Sequence, residues 1–235
     1  MNTLYLIPNR LGDTELSCVL PADVVAIIKQ IKVFATESQR NTRRFLKQID
    51  RDICIDELVF LDLNEHSTHT EVVSYLSWLE KGDVGVISEA GCPGIADPGA
   101  ELVALAHQHD YKVVPLVGPS SILLALIASG CNGQTFSFNG YLPINSHDRI
   151  KALRMYEKQS AVENRTQIFI ETPYRNVKLF QDMLSCLSSK SLLSVSCDIT
   201  THNEYIKTLP IYKWKQQATP DIDKRPTIFI VYAGS

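Results

Sequence analysis

Apolar segments of strand length recur through the first half of the chain, with helical segments between them. The strand segments are TLYLIPN, IKVFATE, ELVFLDL, DVGVISEAG and YKVVPLVG. Each is apolar almost without interruption, a pattern that is typical of strands buried on both faces of a sheet. Since helices that connect parallel strands cover those faces, the sequence predicts an open α/β domain with a mostly parallel sheet.

The second half of the chain has a different order of elements. The helix GPSSILLALIASG is followed by FSFNGYLP, the helix DRIKALRMYEKQ, the strand TQIFIET and the helix YRNVKLFQDMLSCL. Three strands come last, LLSVSCDIT, EYIKTLPIYKWK and PTIFIVYA. This order predicts a mixed sheet with antiparallel pairs.

A chain of 235 residues can form two domains, and a boundary near Val117–Pro119 divides it into domains 1–117 and 118–235.

The segment VISEAGCPGIADPG, residues 86–99, begins as a strand and continues into a loop rich in glycine and proline. Ligands of open α/β sheets bind beyond the carboxyl ends of the strands. Glycine permits a close approach of the backbone to a ligand, and proline stiffens the loop. Two other predicted strands, in YLIPNRLGD and VVPLVGPSS, also end in loops that contain proline and glycine. The three loops predict one ligand held mostly by backbone groups, although a tight crossover loop before a capped helix would also explain residues 86–99.

Several common classes of site are not predicted. The chain has no G-x-G-x-x-G after its first strand, no Walker lysine and no G-x-S-x-G. Its histidines lack the carboxylate spacing of a zinc helix, so we expect no metal. No apolar stretch is long enough to span a bilayer, and the net charge of -3 does not by itself indicate nucleic acid. Six cysteines without a C-x-x-C pair, and a first segment unlike a signal peptide, predict reduced, mostly buried thiols in a cytoplasmic protein.

Six motifs, spread over nearly the whole chain, resemble those of one enzyme family. SEAGCPGIADPG matches the pattern S-D-A-G-T-P-x-I-x-D-P-G, and KVVPLVGPSS matches R-V-V-P-L-P-G-P-C/S-A/S. LYLIPNRLGD, ESQRNT, FNGYLP and IFIETPYR correspond in turn to L-Y-I-V-P-T-P-I-G-N, E-D-T-R-x-T, E-G-F-L-P and I-F-Y-E-S/A-x-x-R. On these motifs the chain resembles the ribosomal RNA small-subunit methyltransferase I family of the tetrapyrrole (corrin/porphyrin) methylase superfamily.

The resemblance implies a two-domain α/β fold with an open, mostly parallel N-terminal sheet, a mixed C-terminal sheet and a cleft between the domains that binds S-adenosylmethionine. It implies a cytoplasmic, homodimeric methyltransferase that modifies the ribose 2′-oxygen of a cytidine in small-subunit ribosomal RNA. Its partner would be ribosomal RNA or the small ribosomal subunit. The expected cofactor contacts are Pro8, Ser88, Glu89, Ala90, Gly91, Ile95, Asp97, Ser120, Ser121, Leu142 and Thr227. The serine pair could equally serve as a helix N-cap.

Methyl transfer to a hydroxyl requires the removal of one proton, and a general base contributes roughly 10²–10⁴-fold to the rate. The candidates for this catalytic base are Glu37, Glu89 and Glu171. A helix cap or a salt bridge is the alternative explanation for each glutamate. The expected contacts to substrate phosphates are Arg40, Arg43 and Arg175. The basic run on the first of these segments could instead be a solvated helix face.

The chain departs from the family pattern at several positions. Asn9-Arg10 stands where the family has Thr-Pro, and Ser38-Gln39 stands where it has Asp-Thr. Family members typically continue beyond the equivalent of IFIVYAGS into a small C-terminal domain. Two alternatives therefore stand beside ribosomal RNA methylation. One is a methyltransferase that acts on a tetrapyrrole or another small molecule, and the other is a non-catalytic RNA-binding or ribosome-assembly factor on the same fold.

Overall fold

The computed structural model describes residues 2–234. By their contacts the residues fall into two compact units that divide between Ser120 and Ser121, whereas the sequence predicts a boundary at 117/118. Each unit is built on a five-stranded sheet of its own. Within residues 2–234, no helix is both long enough and apolar enough to cross a membrane.

The sheet of the first unit is parallel throughout, which confirms the predicted architecture. Its strands are β1 (Thr3–Ile7), β2 (Val33–Thr36), β3 (Val59–Asp62), β4 (Val84–Ile87) and β5 (Lys112–Pro115), in the spatial order β3-β2-β4-β1-β5. The helices of this unit are α1 (Leu16–Val19), α2 (Ala22–Ile28), α3 (Gln39–Ile49), α4 (His69–Ser74), α5 (Leu76–Leu79) and α6 (Ala100–Gln108), with a 3-10 turn at Ile55–Glu57.

Successive residues of the central strands enter different hydrophobic clusters, which explains the uninterrupted apolar runs. In β2, Val33 and Ala35 pack in a cluster with residues of α4, α5 and α6. Phe34, between them, packs in a second cluster with residues of α2 and α3. Neighbouring side chains of a strand point to opposite faces of the sheet, so the three successive residues Val33, Phe34 and Ala35 are all apolar. Full burial of a side chain such as Phe34 contributes about 1.5–3 kcal/mol.

The sheet of the second unit is mixed, as predicted. Its strands are β6 (Phe136–Tyr141), β7 (Thr166–Ile170), β8 (Leu192–Cys197), β9 (Tyr205–Pro210) and β10 (Thr227–Tyr232), in the spatial order β6-β7-β10-β8-β9. β6 and β7 are parallel, and the other neighbours are antiparallel. The helices are α7 (Ser121–Ser129), α8 (Ser146–Glu163), α9 (Asn176–Cys186) and α10 (Ile211–Trp214), with a 3-10 turn at Pro173–Arg175.

The single helix predicted over STHTEVVSYLSWLEKG is divided at Tyr75 into α4 and α5. The Tyr75 N–H donates to the Val72 carbonyl and the Trp78 N–H donates to the Tyr75 carbonyl, each over three residues. These tighter bonds interrupt the α-helical pattern. The Tyr75 hydroxyl also donates to the carbonyl of Asp62 at the end of β3. This hydrogen bond attaches the junction between α4 and α5 to the sheet.

The segment EYIKTLPIYKWK, predicted as one strand, is a strand only as far as Pro210 and then forms α10. Proline has no N–H for the sheet and favours the start of a helix. Trp214 anchors the helix because its side chain is buried and its Nε1 donates to the Leu193 carbonyl at 2.8 Å.

The cysteines also differ from the prediction. All six are free thiols. Only Cys197 is buried, whereas Cys18 and Cys54 are exposed. The expectation of mostly buried thiols is therefore wrong.

Candidate functional site

The carboxyl ends of the strands meet at one edge of the sheet in the first unit, and the predicted loops follow them. Pro8 follows β1, Glu37 follows β2, and Ser88 begins the long loop after β4. Because all five strands are parallel, the structure brings these residues to the same edge, where ligands of open α/β sheets bind.

Asn9 ties the loop after β1 to the loop after β4. Its Nδ2 donates to the carbonyls of Ser88 and Glu89 at 3.2 and 3.1 Å. Its backbone exchanges two hydrogen bonds with Gly91, at 2.8 and 3.0 Å. Its Oδ1 accepts from the Arg10 N–H at 2.8 Å. A proline at position 10, as in the family pattern, would have no N–H for this last bond. The hydrogen bond therefore requires both Asn9 and a residue other than proline at position 10.

The loop after β4 uses backbone conformations that favour glycine. Gly91, Gly94 and Gly99 have φ values of 71°, 81° and 129°, in the region that side chains with a Cβ disfavour. Ala96 adopts φ 61° as well, a strained conformation for a residue other than glycine. Ile95 points outward and is 50% exposed. The loop therefore presents backbone groups and one apolar side chain at its surface.

Three carboxyl groups lie close enough at this edge to influence one another. Partial burial, with the charges of Asp97 and Glu89, raises the pKa of Glu37 above its ordinary value, although a hydrogen bond from the Glu89 backbone opposes the shift. Partial burial also raises the pKa of Asp97, helped by Glu89 and opposed by the Ser88 hydroxyl. Oε2 of Glu37 is buried and has no hydrogen-bond partner within residues 2–234. A carboxyl with a raised pKa and a free oxygen is suited to accept a proton.

Asn41, on α3, holds the third of these carboxyls. Its Nδ2 donates to Oε2 of Glu89, and its backbone N–H is capped by the Ser38 hydroxyl at 3.4 Å. The family pattern has aspartate at position 89, and the additional methylene of glutamate extends the carboxylate further from the loop. Sequence reasoning missed both Asn9 and Asn41. The signal for Asn9 was its departure from the family pattern, whereas Asn41 occupies a variable position.

The loop after β5 packs directly against the loop after β1. A Cβ added at Gly118 would collide with the Pro8 ring, so this position requires glycine. Pro8 is buried in this contact. Ser120 ends the first unit, and Ser121 is the first residue of α7 in the second unit.

The predicted phosphate contacts of the first unit lie on α3, immediately after Glu37. Arg40 is exposed, as is Arg43, whose guanidinium lies over the Phe60 ring at 4.9 Å. Arg43 also donates to the Gln39 side chain at 3.5 Å. The solvated basic face predicted for this segment is thus present beside the carboxyl cluster.

The remaining predicted residues belong to the second unit. Glu171 is buried, and its Oε1 accepts hydrogen bonds from Arg175 at 2.5 and 3.0 Å and from the Thr172 N–H at 2.7 Å. Leu142 lies in the hydrophobic core of this unit. Thr227 is buried, and its hydroxyl donates to the Arg225 carbonyl at 2.9 Å.

The sequence is 34% identical over 208 residues to the ribosomal RNA small subunit methyltransferase I of Vibrio cholerae, an alignment that covers 88% of this chain and 68% of that protein. The chain belongs to the ribosomal RNA small-subunit methyltransferase I family. The family member from Synechocystis sp. is 30% identical over 205 residues, which cover 87% of this chain and 69% of that one. A member from Streptococcus pyogenes is 34% identical over 194 residues, and this chain covers 63% of its length. A scan against protein-family models found no match.

Solved structures with the same fold extend this result. The methyltransferase CobJ matches with a TM-score of 0.60 and 15% identity over 98% of both chains. The native form of uroporphyrin III C-methyl transferase from Thermus thermophilus matches with a TM-score of 0.57 and 16% identity over 98% of this chain and 97% of that one. At these identities the likeness concerns the fold alone, and it confirms the tetrapyrrole methylase fold for this member of the small-subunit methyltransferase I family.

Proposed function

We propose that this protein uses S-adenosylmethionine to methylate the ribose 2′-oxygen of a cytidine in small-subunit ribosomal RNA. The observation that carries the proposal is the 34% identity, over 88% of the chain, to a protein named as a ribosomal RNA small subunit methyltransferase. The partner is therefore ribosomal RNA, met alone or within the small ribosomal subunit.

The residues at the strand edge of the first unit fit the chemistry of this cofactor. S-adenosylmethionine carries a positive sulfonium and a positive amino group, which suit the carboxylates of Glu89 and Asp97. The partly exposed backbone at Gly94 suits the hydrogen-bonding groups of a nucleoside, and Ile95 offers an apolar surface. The cofactor, once bound, supplies an electrophilic methyl group.

Glu37 is the residue to which we assign proton removal. The Glu37 carboxylate would accept the proton of the attacking 2′-hydroxyl, so that positive charge would not accumulate on that oxygen. A raised pKa makes this carboxylate a stronger base than an ordinary glutamate. Glu171 also has an Oε2 without a hydrogen-bond partner among the described residues. It is less suited because its Oε1 is already paired with the Arg175 guanidinium.

The three predicted arginines also differ in how far their guanidinium groups are available to a substrate phosphate. Arg40 is exposed and has no ion-pair partner within residues 2–234, so we assign it the first contact with a substrate phosphate. Arg43 supports that contact from the same helix. Arg175 would have to release Glu171 in order to contribute.

The remaining cofactor contacts are also part of this proposal. Because the side chains of Leu142 and Thr227 are engaged within the second unit, any contribution from them comes through their backbone groups. Ser120 and Ser121 contribute hydroxyls.

The decisive test is methyl transfer from tritiated S-adenosylmethionine to small ribosomal subunits purified from cells without this activity. A 2′-O-methyl group removes the nucleophile of alkaline cleavage, so the label should lie at an alkali-resistant position of the RNA. Label transferred only to a porphyrin precursor would favour the small-molecule alternative. A folded protein that does not bind the cofactor at millimolar concentration would favour the non-catalytic alternative.

We also propose that the protein is a cytoplasmic homodimer. Leu123 and Ile127, one turn apart on α7, are both exposed and offer an apolar surface for self-association. Light scattering on the purified protein should give the mass of two chains, and an Ile127→Lys variant should give the mass of one.

A further inference from the structure

A basic groove of about 460 Å³ lies in the second unit, between the C-terminal half of α8, the turn before β8 and the end of β10. Its volume lies within the range of about 300–1,000 Å³ that is usual for ligand sites. Three exposed cationic side chains line it: Arg154 and Lys158 from α8, and Lys190 from the turn. Arg154 and Lys158 are four residues apart and therefore share one face of the helix.

Among the described residues that line the groove, three side chains are cationic and one, Glu157, is a carboxylate, so positive charge predominates. Oε1 of Glu157 accepts from the Ser188 N–H at 2.7 Å and from the Ser191 hydroxyl at 2.6 Å. These bonds fix the turn that carries Lys190 against α8. Within residues 2–234, none of the three cationic groups forms a salt bridge.

The end of β10 forms the third side of the groove and is also held in place. The Ala233 N–H donates to the Ser160 hydroxyl at 2.8 Å, and the Tyr232 hydroxyl donates to the Asn164 side chain at 2.5 Å. Tyr232 is thus bound at its polar tip rather than projecting as a free ring on which a base could stack. The groove offers cations and the Ser188 hydroxyl, which are groups that contact phosphates.

We propose that this groove binds the phosphodiester backbone of the ribosomal RNA substrate and positions it without reading its sequence. The inference rests on the proposed function, because that function supplies the RNA. Cationic contacts to phosphates release counterions, so each contact steepens the dependence of affinity on salt, by about 0.7 in the slope of log K against log salt for a single strand. Three contacts would make the slope steeper by about 2.

The test compares the wild type with the groove variant Arg154→Gln/Lys158→Gln/Lys190→Gln. The matched control is Lys151→Gln/Lys213→Gln/Lys215→Gln, which removes three exposed cations of the same unit outside the groove. The probe is a fluorescein-labelled fragment of small-subunit ribosomal RNA, titrated from 50 to 200 mM salt. Over this range the wild type should lose about 20-fold more affinity than the groove variant, and the control should follow the wild type.

Each other outcome has a distinct meaning. If the groove and control variants change equally, net charge alone is responsible and the groove is not a site. If the groove variant loses only its binding of inorganic phosphate and keeps its affinity for RNA, the groove takes a small anion and the RNA assignment is wrong. If the wild type itself neither binds nor methylates the RNA, the proposed function fails instead. Thermal unfolding of both variants verifies that they fold.

Discussion

Glu37, the proposed general base, occupies a position that lowers stability at neutral pH. Its pKa is raised because the folded chain partly buries it and places it near Asp97 and Glu89. A carboxyl whose pKa is higher in the folded state favours folding below the ordinary glutamate value of about 4.3. That contribution is lost as the pH rises through the folded-state pKa. At neutral pH the ionised group therefore opposes folding while it is ready to accept a proton.

The variant Glu37→Gln should lower the single-turnover rate of methyl transfer by about 10²–10⁴-fold, because it removes the proposed general base. The acid limb of the pH–rate profile should disappear with it. Its melting temperature at pH 7 should equal or exceed that of the wild type.

The matched control for this variant is Glu57→Gln, an exposed glutamate whose Oε2 lies 3.8 Å from the Lys32 amine. It should change neither the rate nor the pH profile. A Glu37→Gln enzyme with the wild-type rate would exclude Glu37 as the base.

Asn9→Ala should lower the free energy of unfolding by about 1–3 kcal/mol, because it leaves the carbonyls of Ser88 and Glu89 without their side-chain donor. It should also weaken cofactor binding, measured by calorimetry, because the loop that carries Gly91 loses one of its ties. Asn2→Ala is the control. Asn2 also donates to two carbonyls, those of Leu79 and Glu80, but before β1. The Asn2→Ala variant should lower the free energy of unfolding without weakening cofactor binding. Equal losses of cofactor binding in both variants would contradict this role of Asn9.

At the scale of elements, a buried ion pair joins α8 to α9. Nε and Nη2 of Arg149 donate to Oδ2 of Asp182 at 2.9 and 2.5 Å, and Lys178 donates to Oδ1 at 2.9 Å. Arg149 also satisfies the carbonyls of Pro143 and Ile144. Burial alone would raise the pKa of Asp182, but the hydrogen bonds and charges of Lys178 and Arg149 hold it below its ordinary value.

Asp182→Asn should lower the free energy of unfolding by about 3–5 kcal/mol, because it leaves the Arg149 charge buried and uncompensated. Since the pKa of Asp182 is lowered on folding, its contribution is complete above the ordinary aspartate value of about 3.9 and fades as the pH falls below it. Urea unfolding should thus show a smaller difference at pH 3 than at pH 7. Lys178→Ala, which removes a more exposed partner, should cost at most about 1 kcal/mol. A similar loss in both variants would contradict the role assigned to Arg149.

The elements that could be predicted from the sequence are those in which the order of apolar and polar residues directly indicates which positions are buried. The parallel strands were predictable because β2 and β4 are buried on both faces and carry short, nearly continuous apolar runs. The helix after Pro210 was not, because its apolar and polar residues suit an edge strand equally, and only the pocket around Trp214 decides between them. The strand-edge loops were predictable from their glycines, whereas the bond between Asn41 and Glu89 depends on how α3 is placed beside the loop.

For the whole molecule, ligand binding and folding are linked. S-adenosylmethionine at 100 times its dissociation constant should raise the free energy of unfolding by about 2.7 kcal/mol, because it binds the folded chain only. Differential scanning calorimetry at several cofactor concentrations measures this directly. Glu37→Gln should show the same rise, and Asn9→Ala should need a higher concentration to reach it. A melting temperature that does not respond to millimolar cofactor would contradict the assigned cofactor.

The strand order of the first unit has a consequence for how the chain is made. β1 pairs with β4 and β5, and β2 also pairs with β4, so β4 lies between the first two strands. As the chain leaves the ribosome, β2 and β3 can pair as soon as both have emerged. β1 must wait until residues 84–87 are available, and contacts this distant in sequence form slowly. Within the first unit, β1 therefore leaves the ribosome before β2 but finds its neighbours after β2 has found β3.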